Sequence, residues 1–446
     1  MKLKSRDQIV CLIFSFFSIV SSLESVAQKQ QKKWYTNGKT IDFQSGIPSV
    51  SNMPSGPNYN VGDSSATNGF YGPTGNLLIF ANGNGIYNKF GNLITYIGNP
   101  VLNPNSEFLA QTFNMGKSVV IIPNPEFCER YFVIYDISYI LYNPSGSVFG
   151  KYKVLYTEVD LSANNEQGAV HTVGSVLQKD IILSMYEGVS GTEEYSDTYA
   201  SFVVSQLING KRLLYLSNQV HSSFLFPEKI SSRLYKFEIT GQGISNSVEL
   251  YLTNQFGLSS LEMEISHDNQ FLAIGCLKQW GFDFINKEID IVLFHLNNNG
   301  NLNPLLGNLS AGVSAINLPS QYNWQGVGGI EFTPNNQRLF AAVQGGAIHY
   351  INLFNLSNQS IANSNNFTNS QLELAYNGYI YLANANNKLI YIDWDNPQPV
   401  VVINGSPYII NFNSNANPFY TFSGNSQGTF YLLPKQIDGQ NYDQFF

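Results

Sequence analysis

Five histidines, His171, His221, His267, His295 and His349, are the first residues to weigh for chemistry, and none has a second His or Cys at a metal-ligand spacing such as H-x-x-x-H. His267 occupies a turn position where parallel stretches carry Pro334 or Tyr376, so a turn role is expected for it. His295 and His349 lie inside strand-like runs and are expected to pack or to satisfy a backbone group. The densest carboxylates, Glu187, Glu193, Glu194 and Asp197, fall in "YEGVSGTEEYSDTY". A flexible loop of oxygen ligands could suit calcium, but the Asp-x-Asp-x-Asp spacing with its glycine turn is absent, and the stretch reads as a solvated loop. No G-x-S-x-G elbow, Walker loop or dinucleotide fingerprint occurs. "GNGNGIYNKFG" clusters glycines without a following helix to offer its N-terminus to a phosphate, so it reads as a hairpin turn. No catalytic, cofactor-binding or metal-binding residue is therefore assigned. Of the four tryptophans, Trp34, Trp280, Trp324 and Trp394, two lie in loop-like surroundings: Trp280 in "KQWGFDF" and Trp324 in "YNWQGVGG". Those two are the candidates for stacking on a sugar ring; the competing reading is core packing, the usual use of aromatics in an all-β protein.

The elements that would position such residues begin after residue 27. MKLKSRDQ, then IVCLIFSFFSIVSSL, then ESVAQ gives a basic start, an apolar run and a small-x-small end, the layout of a secretory signal peptide cleaved between Ala27 and Gln28. The run is shorter than the roughly 20 residues a spanning helix needs, and no second long apolar stretch follows, so a mature chain without a transmembrane segment is expected. Cys11 lies inside the run and not at its end, which argues against lipid attachment. The expected addresses are secreted, periplasmic or cell surface.

A net charge of −8 with only 23 Lys and Arg lacks the clustered basic residues of a nucleic-acid footprint. Charged residues make up 12% where a soluble domain typically has about a quarter, and aromatics make up 14%. Asn, Ser, Gly and Gln fill the turns instead, the composition of aromatic and β-branched strands joined by tight turns. Cys128 and Cys276 would remain after export. Cys276, in "FLAIGC", reads as a small buried hydrophobe; a bridge to Cys128 is open but nothing demands it.

One unit recurs: a strand, a short polar turn, and a second strand. It is read in "LEMEISHDNQFLAIGC" (261–276), "VGGIEFTPNNQRLFAAVQ" (327–344), "QLELAYNGYIYLANANNKLIYIDW" (371–394) and "ATNGFYGPTGNLLIFANG" (66–83), and more loosely in "SQLINGKRLLYLSN" (205–218). Most copies are followed by a further strand ending in Asn/Gly, as in "IDIVLFHLNNNGNL" and "RLYKFEITGQGI". No helical window separates the strands, which excludes βαβ units. Repeats of roughly 40 to 65 residues, each supplying about four antiparallel strands, define a β-propeller. The expected fold class is thus all-β: a single propeller over 28–446 with its core at about 34–435, and about 57 residues per blade points to seven blades, with six or eight open. A β-sandwich array would need Pro- or Ser-rich linkers between units, which are absent.

Several stretches also resemble a known group. "KWYTNGKTIDFQSGIPSV" (33–50), "NGFYGPTGNLLIFANGNGIYNKFGNLI", "KSVVIIPNPEFCERYFVIYDI" and the closing "YLLPKQIDGQNY" resemble, in the same order, motifs of exported Bacteroidota WD40-like or YVTN-type propellers, the N-terminal domains of surface proteins associated with gliding motility and type IX secretion. Two positions depart from the pattern: Asn82-Gly83 stands for its Asp-Gly, and Tyr87-Asn88 for its Trp-Asn. The resemblance implies a propeller and an exported address, and it supplies no chemistry. Members usually continue into adhesion repeats and a C-terminal sorting domain, whereas the residues here stop at Phe446, which keeps the periplasm open beside the surface.

The function expected is a non-enzymatic binding module of the cell envelope, with an envelope or secreted protein, or a polysaccharide, as partner and no nucleic acid. The alternatives are a metal-assisted, lactonase-like propeller hydrolase and a lectin-like carbohydrate-binding propeller.

Overall fold

The computed structural model describes residues 31–36, 39–45, 48–52, 67–72, 74–82, 85–97, 109–142, 148–162, 173–184, 201–221, 230–253, 262–276, 289–307, 312–318, 327–343, 347–363, 371–384, 388–395, 400–402 and 408–409. All of the regular structure among them is β, in seven antiparallel sheets. Sheet 1 holds β1 (Lys33–Thr36), β2 (Lys39–Asp42) and β3 (Ser49–Asn52). Sheet 2 holds β4 (Thr67–Tyr71), β5 (Leu77–Asn82), β6 (Gly85–Asn88) and β7 (Leu93–Tyr96). Sheet 3 holds β8 (Leu109–Pro123), β9 (Arg130–Tyr142), β10 (Val148–Asp160) and β11 (Ser175–Ser184). Sheet 4 holds β12 (Ser201–Val204), β13 (Arg212–His221), β14 (Ile230–Thr240), β15 (Gly243–Ile244) and β16 (Val248–Thr253). Sheet 5 holds β17 (Met263–Ile265), β18 (Phe271–Gly275), β19 (Ile291–His295) and β20 (Val313–Ile316). Sheet 6 holds β21 (Val327–Phe332), β22 (Arg338–Val343), β23 (Ala347–Asn352) and β24 (Asn358–Asn363). Sheet 7 holds β25 (Leu372–Leu374), β26 (Ile380–Asn384), β27 (Lys388–Asp393), β28 (Val400–Val402) and β29 (Tyr408–Ile409).

The sheets follow one another around a ring. Tyr35 of sheet 1 packs on Phe80 of sheet 2, with ring centroids 5.1 Å apart, and Phe70 packs on Tyr131 of sheet 3 at 5.6 Å. One apolar core joins sheets 3 and 4 through Tyr135, Phe202 and Phe237. Others join sheets 4 and 5, 5 and 6, and 6 and 7. Trp34 and Phe43 of sheet 1 then meet Tyr381 of sheet 7 at 6.1 and 5.2 Å, which closes the circle. Antiparallel sheets arranged radially in chain order, the last packed on the first, are a β-propeller. Because the inner strands of a sheet are covered on both faces, they lose the polar alternation of a half-solvated sheet: Tyr131 to Tyr135 are buried without a break, as are Phe202 to Val204, whereas the outer strand β11 exposes Leu177, Ile181 and Ile182.

The recurring turns form as their residues require. Asn269 and Asn336 take φ of 57° and 54°, and Gly75 and Gly378 take 74° and 83°. Each donates its backbone N–H to the residue three before it, at 2.8 Å. Asn and Gly enter this left-handed region more readily than other residues, which explains "SHDN", "TPNN", "AYNG" and "GPTG" at one structural position. The glycine-rich stretch after β5 is a hairpin, with Asn82 opposite Gly85. Cys276 is buried, and Cys128 is exposed and free, so the two do not pair.

Candidate functional site

In an antiparallel meander the connection from first to second strand and that from third to fourth emerge at the same end. Hydrogen bonds between neighbouring sheets show that these ends coincide around the ring. Gln206 Nε2 donates to the carbonyl of His267, and the N–H of His267 donates to Asn336 Oδ1, at 3.1 and 2.9 Å. Asn124 Nδ2 donates to the carbonyl of Gly241, Asn88 Nδ2 to that of Val173, and Arg338 Nη1 to that of Trp394. This is the turn end of the propeller.

Among the described residues, five turns there use one device to fix a large residue; the same bond, accepted by Asp268, Asn297 and Asn335, fixes the polar Gln270, Asn299 and Gln337. The side-chain oxygens of Asn88, Asn124, Asn303, Asn352 and Asn377 accept the backbone N–H of Phe90, Phe127, Leu305, Phe354 and Tyr379, at 2.9 to 3.4 Å. The residue so fixed two or three positions after the asparagine is a large one in each case; three are turned outward, whereas Phe127 and Tyr379 are 39% exposed and Tyr379 packs on Tyr391. Phe354 is 98% exposed, Leu305 91% and Phe90 69%. An asparagine that hydrogen-bonds its own turn fixes the backbone and leaves the tip residue little freedom to lose on contact. Two tips are further held by cations: Lys89 lies 5.1 Å from the Phe90 ring, and the Arg130 guanidinium 4.3 Å from that of Phe127. Arg130 also pairs with Asp160 at 3.0 Å. Burial would raise the Asp160 carboxyl, but hydrogen bonds from Ser162 and the Arg130 guanidinium outweigh it and hold it below the usual carboxylate range. The signal for this rim was in the sequence as Asn-x-Phe, Asn-x-x-Phe, Asn-x-Leu and Asn-x-Tyr. It is missed when turns are read only for their backbone chemistry.

The first strands carry a second polar set. Glu264, Glu331 and Glu373 stand at the same repeat position in three successive sheets, in "MEIS", "IEFT" and "LELA", and all are buried. Glu331 Oε2 accepts the backbone N–H of Leu374 in sheet 7 at 3.0 Å, and Gln371 Nε2 donates to Glu262 Oε2 at 3.1 Å across the ring. Asn68 Nδ2 makes the equivalent bond to the Val119 carbonyl at 2.9 Å. These side chains tie sheets together where the first strands converge, neighbours in the case of Glu331 and Asn68 and next-but-one in the case of Gln371 and Glu262. Among the described residues no group of three His, Cys, Asp or Glu is placed to hold a metal ion.

The four tryptophans divide. Trp34 is fully buried, and Trp394 donates its Nε1 proton to the Gly378 carbonyl at 2.6 Å beside the core of sheets 6 and 7. Trp280, Trp324, Ala27, Gln28 and the carboxylates 187–197 lie outside the described residues. His267 does stand in a turn but is completely buried, and it bridges sheets 5 and 6 instead of facing water.

The turn after β19 is locked onto sheet 4. Tyr215 donates its hydroxyl to the Gly300 carbonyl at 3.0 Å, and Lys236 Nζ donates to the carbonyl of Asn299 and to Asn301 Oδ1. Desolvation holds the Lys236 amine below its ordinary value. Lys236→Met keeps the stem and removes the donors, so a loss of about 1–2 kcal/mol in urea unfolding is expected. No measurable loss would mean that Tyr215 holds the turn alone.

No protein-family model matches the chain, and no curated protein matches it in sequence. Among solved structures it is similar to Saccharomyces cerevisiae Sqt1, with 11% identity, 84% of this chain and 85% of that one covered, and a TM-score of 0.36. It is also similar to the HIRA fragment 644–1017, with 13% identity, 49% and 57% coverage, and a TM-score of 0.26. The propeller stands on the sheet order and the closed ring, independently of these likenesses.

Proposed function

We propose that this chain is a seven-bladed propeller, exported by its first 27 residues, that serves the bacterial cell envelope as a non-enzymatic module binding another protein through its turn end. Seven sheets in ring order support the blade number. The basic-apolar-small layout of residues 1–27 and the Bacteroidota-like motifs support the address. The observation that carries the binding reading is the set of five asparagine-fixed tips, three of them turned outward, on one end of a rigid ring. Isolated exposed hydrophobes are ordinary, but the same backbone device repeated in five sheets at one end is a presented surface. Aromatic anchors held in place before contact dominate protein interfaces.

The test is capture from envelope extracts by the mature protein, with quantitative mass spectrometry, against F90S/F354S. The partner should be retained by the wild type and lost by at least tenfold with the variant, at unchanged melting temperature. Undiminished capture would sink the turn-end reading. A large thermal shift with calcium, another divalent cation or a soluble polysaccharide would move the weight to the hydrolase or the lectin. N-terminal sequencing of the exported protein should begin at Gln28.

A further inference from the structure

Every histidine whose side chain is described projects into one interface, that between sheets 5 and 6. Alternation along the strands settles the facing. Ile291 and Leu293 of β19 belong to the core shared with sheet 6, and Val292 and Phe294 to the core shared with sheet 4, so His295 falls on the sheet 6 face. Its ring lies edge-on to Phe271, 5.3 Å away, and Nε2 meets Ser314 Oγ at 2.9 Å. In sheet 6, His349 sits opposite Ala341 and two residues before Ile351, both in that same core. His267, in the turn after β17, directs a ring N–H at the backbone carbonyl of Phe332 and caps the interface at the turn end.

His267 and His349 are 0% and 1% exposed. The charged groups facing the three rings among the described residues are all acidic. Glu264 lies opposite Ala273 on the sheet 6 face, Asp268 is beside His267, and Asp290, which accepts the Leu318 N–H at 2.7 Å, acts on His349. Arg338 of sheet 6 is turned away, toward the Trp394 carbonyl of sheet 7.

We propose that the interface between sheets 5 and 6 is an acid-sensitive seam, at which the ring opens first when the pH falls below neutrality. The three rings are neutral when packed, because burial disfavours the cation at each of them. His267 is pushed down to about 4, and His295 and His349 are pushed down as well, His349 against the opposing pull of Asp290. In the opened seam each returns to about 6.5. For a group depressed by packing, opening takes up a proton, so the closed form is fully favoured above about pH 6.5 and loses ground as the pH falls toward the packed value. Each such ring multiplies the opening constant by up to about tenfold per pH unit. No other inter-sheet core brings together more than one described histidine, so acid acts on this seam selectively.

The experiment is hydrogen exchange by mass spectrometry on the full chain at pH 7 and pH 5, corrected for the intrinsic pH dependence of amide exchange. Peptides covering β18, β19, β22 and β23 should lose protection at least tenfold more than those covering β5 and β9. The pH effect should shrink severalfold in H295Q/H349Q. Equal loss everywhere, or an unchanged pH dependence in that variant, would overturn the proposal. Should the variant fail to fold, exchange at the imidazole C2 positions of the wild type reads the same point. Midpoints clearly below 6.5 for His267 and His349 support the seam, and midpoints at or above 6.5 overturn it.

Discussion

Trp34→Ala should lower the stability of the ring by about 3–5 kcal/mol, the usual range for emptying a large buried aromatic site. The indole is fully buried at the joint between the first and last sheets, 4.6 Å from the Phe43 ring and 6.1 Å from Tyr381. Its Nε1 has no hydrogen-bond partner among the described residues, so the loss is one of packing. A propeller magnifies such a loss, because a ring opened at one joint frees two sheets at once. Trp34→Phe, which keeps an aromatic face against Tyr381, should recover a large part. Urea unfolding followed by circular dichroism measures both. A loss below about 1 kcal/mol for the alanine variant would show that Phe43 and Tyr381 close the ring without it.

Gly300→Ala is expected to cost about 2–4 kcal/mol, from two separable sources. Gly300 has φ of +69°, where a Cβ is strained by about 1 kcal/mol or more. The added carbon would also overlap Leu213 Cδ1 and the Tyr215 hydroxyl, the group that anchors this turn to sheet 4. Gly210→Ala is the control. Its φ of +78° carries the same backbone strain, but nothing lies within 4 Å of the new Cβ. It should lose only about 1 kcal/mol. Equal losses at the two glycines would mean that the turn gives way to the added carbon and that the lock on sheet 4 is loose.

The strand-turn-strand unit was legible because its signal is local. Asn and Gly reach positive φ readily, so "TPNN" and "AYNG" announce the turn wherever they occur, and unbroken runs such as "YFVIY" announce strands covered on both faces. Cys276 was readable as buried from its apolar run, whereas the free state of Cys128 and the burial of Trp34 beneath a neighbouring sheet depend on which sheets meet. His267 illustrates the difference. Its turn position was readable, yet its complete burial follows from Asn336 and Phe332, some 65 residues further along and next to it only because sheet 6 packs on sheet 5.

By itself the sequence determined the class of fold, the repeat, the turn chemistry and the lack of any local catalytic motif, since each depends on residues within a few positions of one another. Only the tertiary structure decided that five asparagine-fixed tips share one end, that Glu264, Glu331 and Glu373 line the converging strands, and that three histidines meet at one seam. Those arrangements join residues from different sheets, and their proximity is created by the closing of the ring.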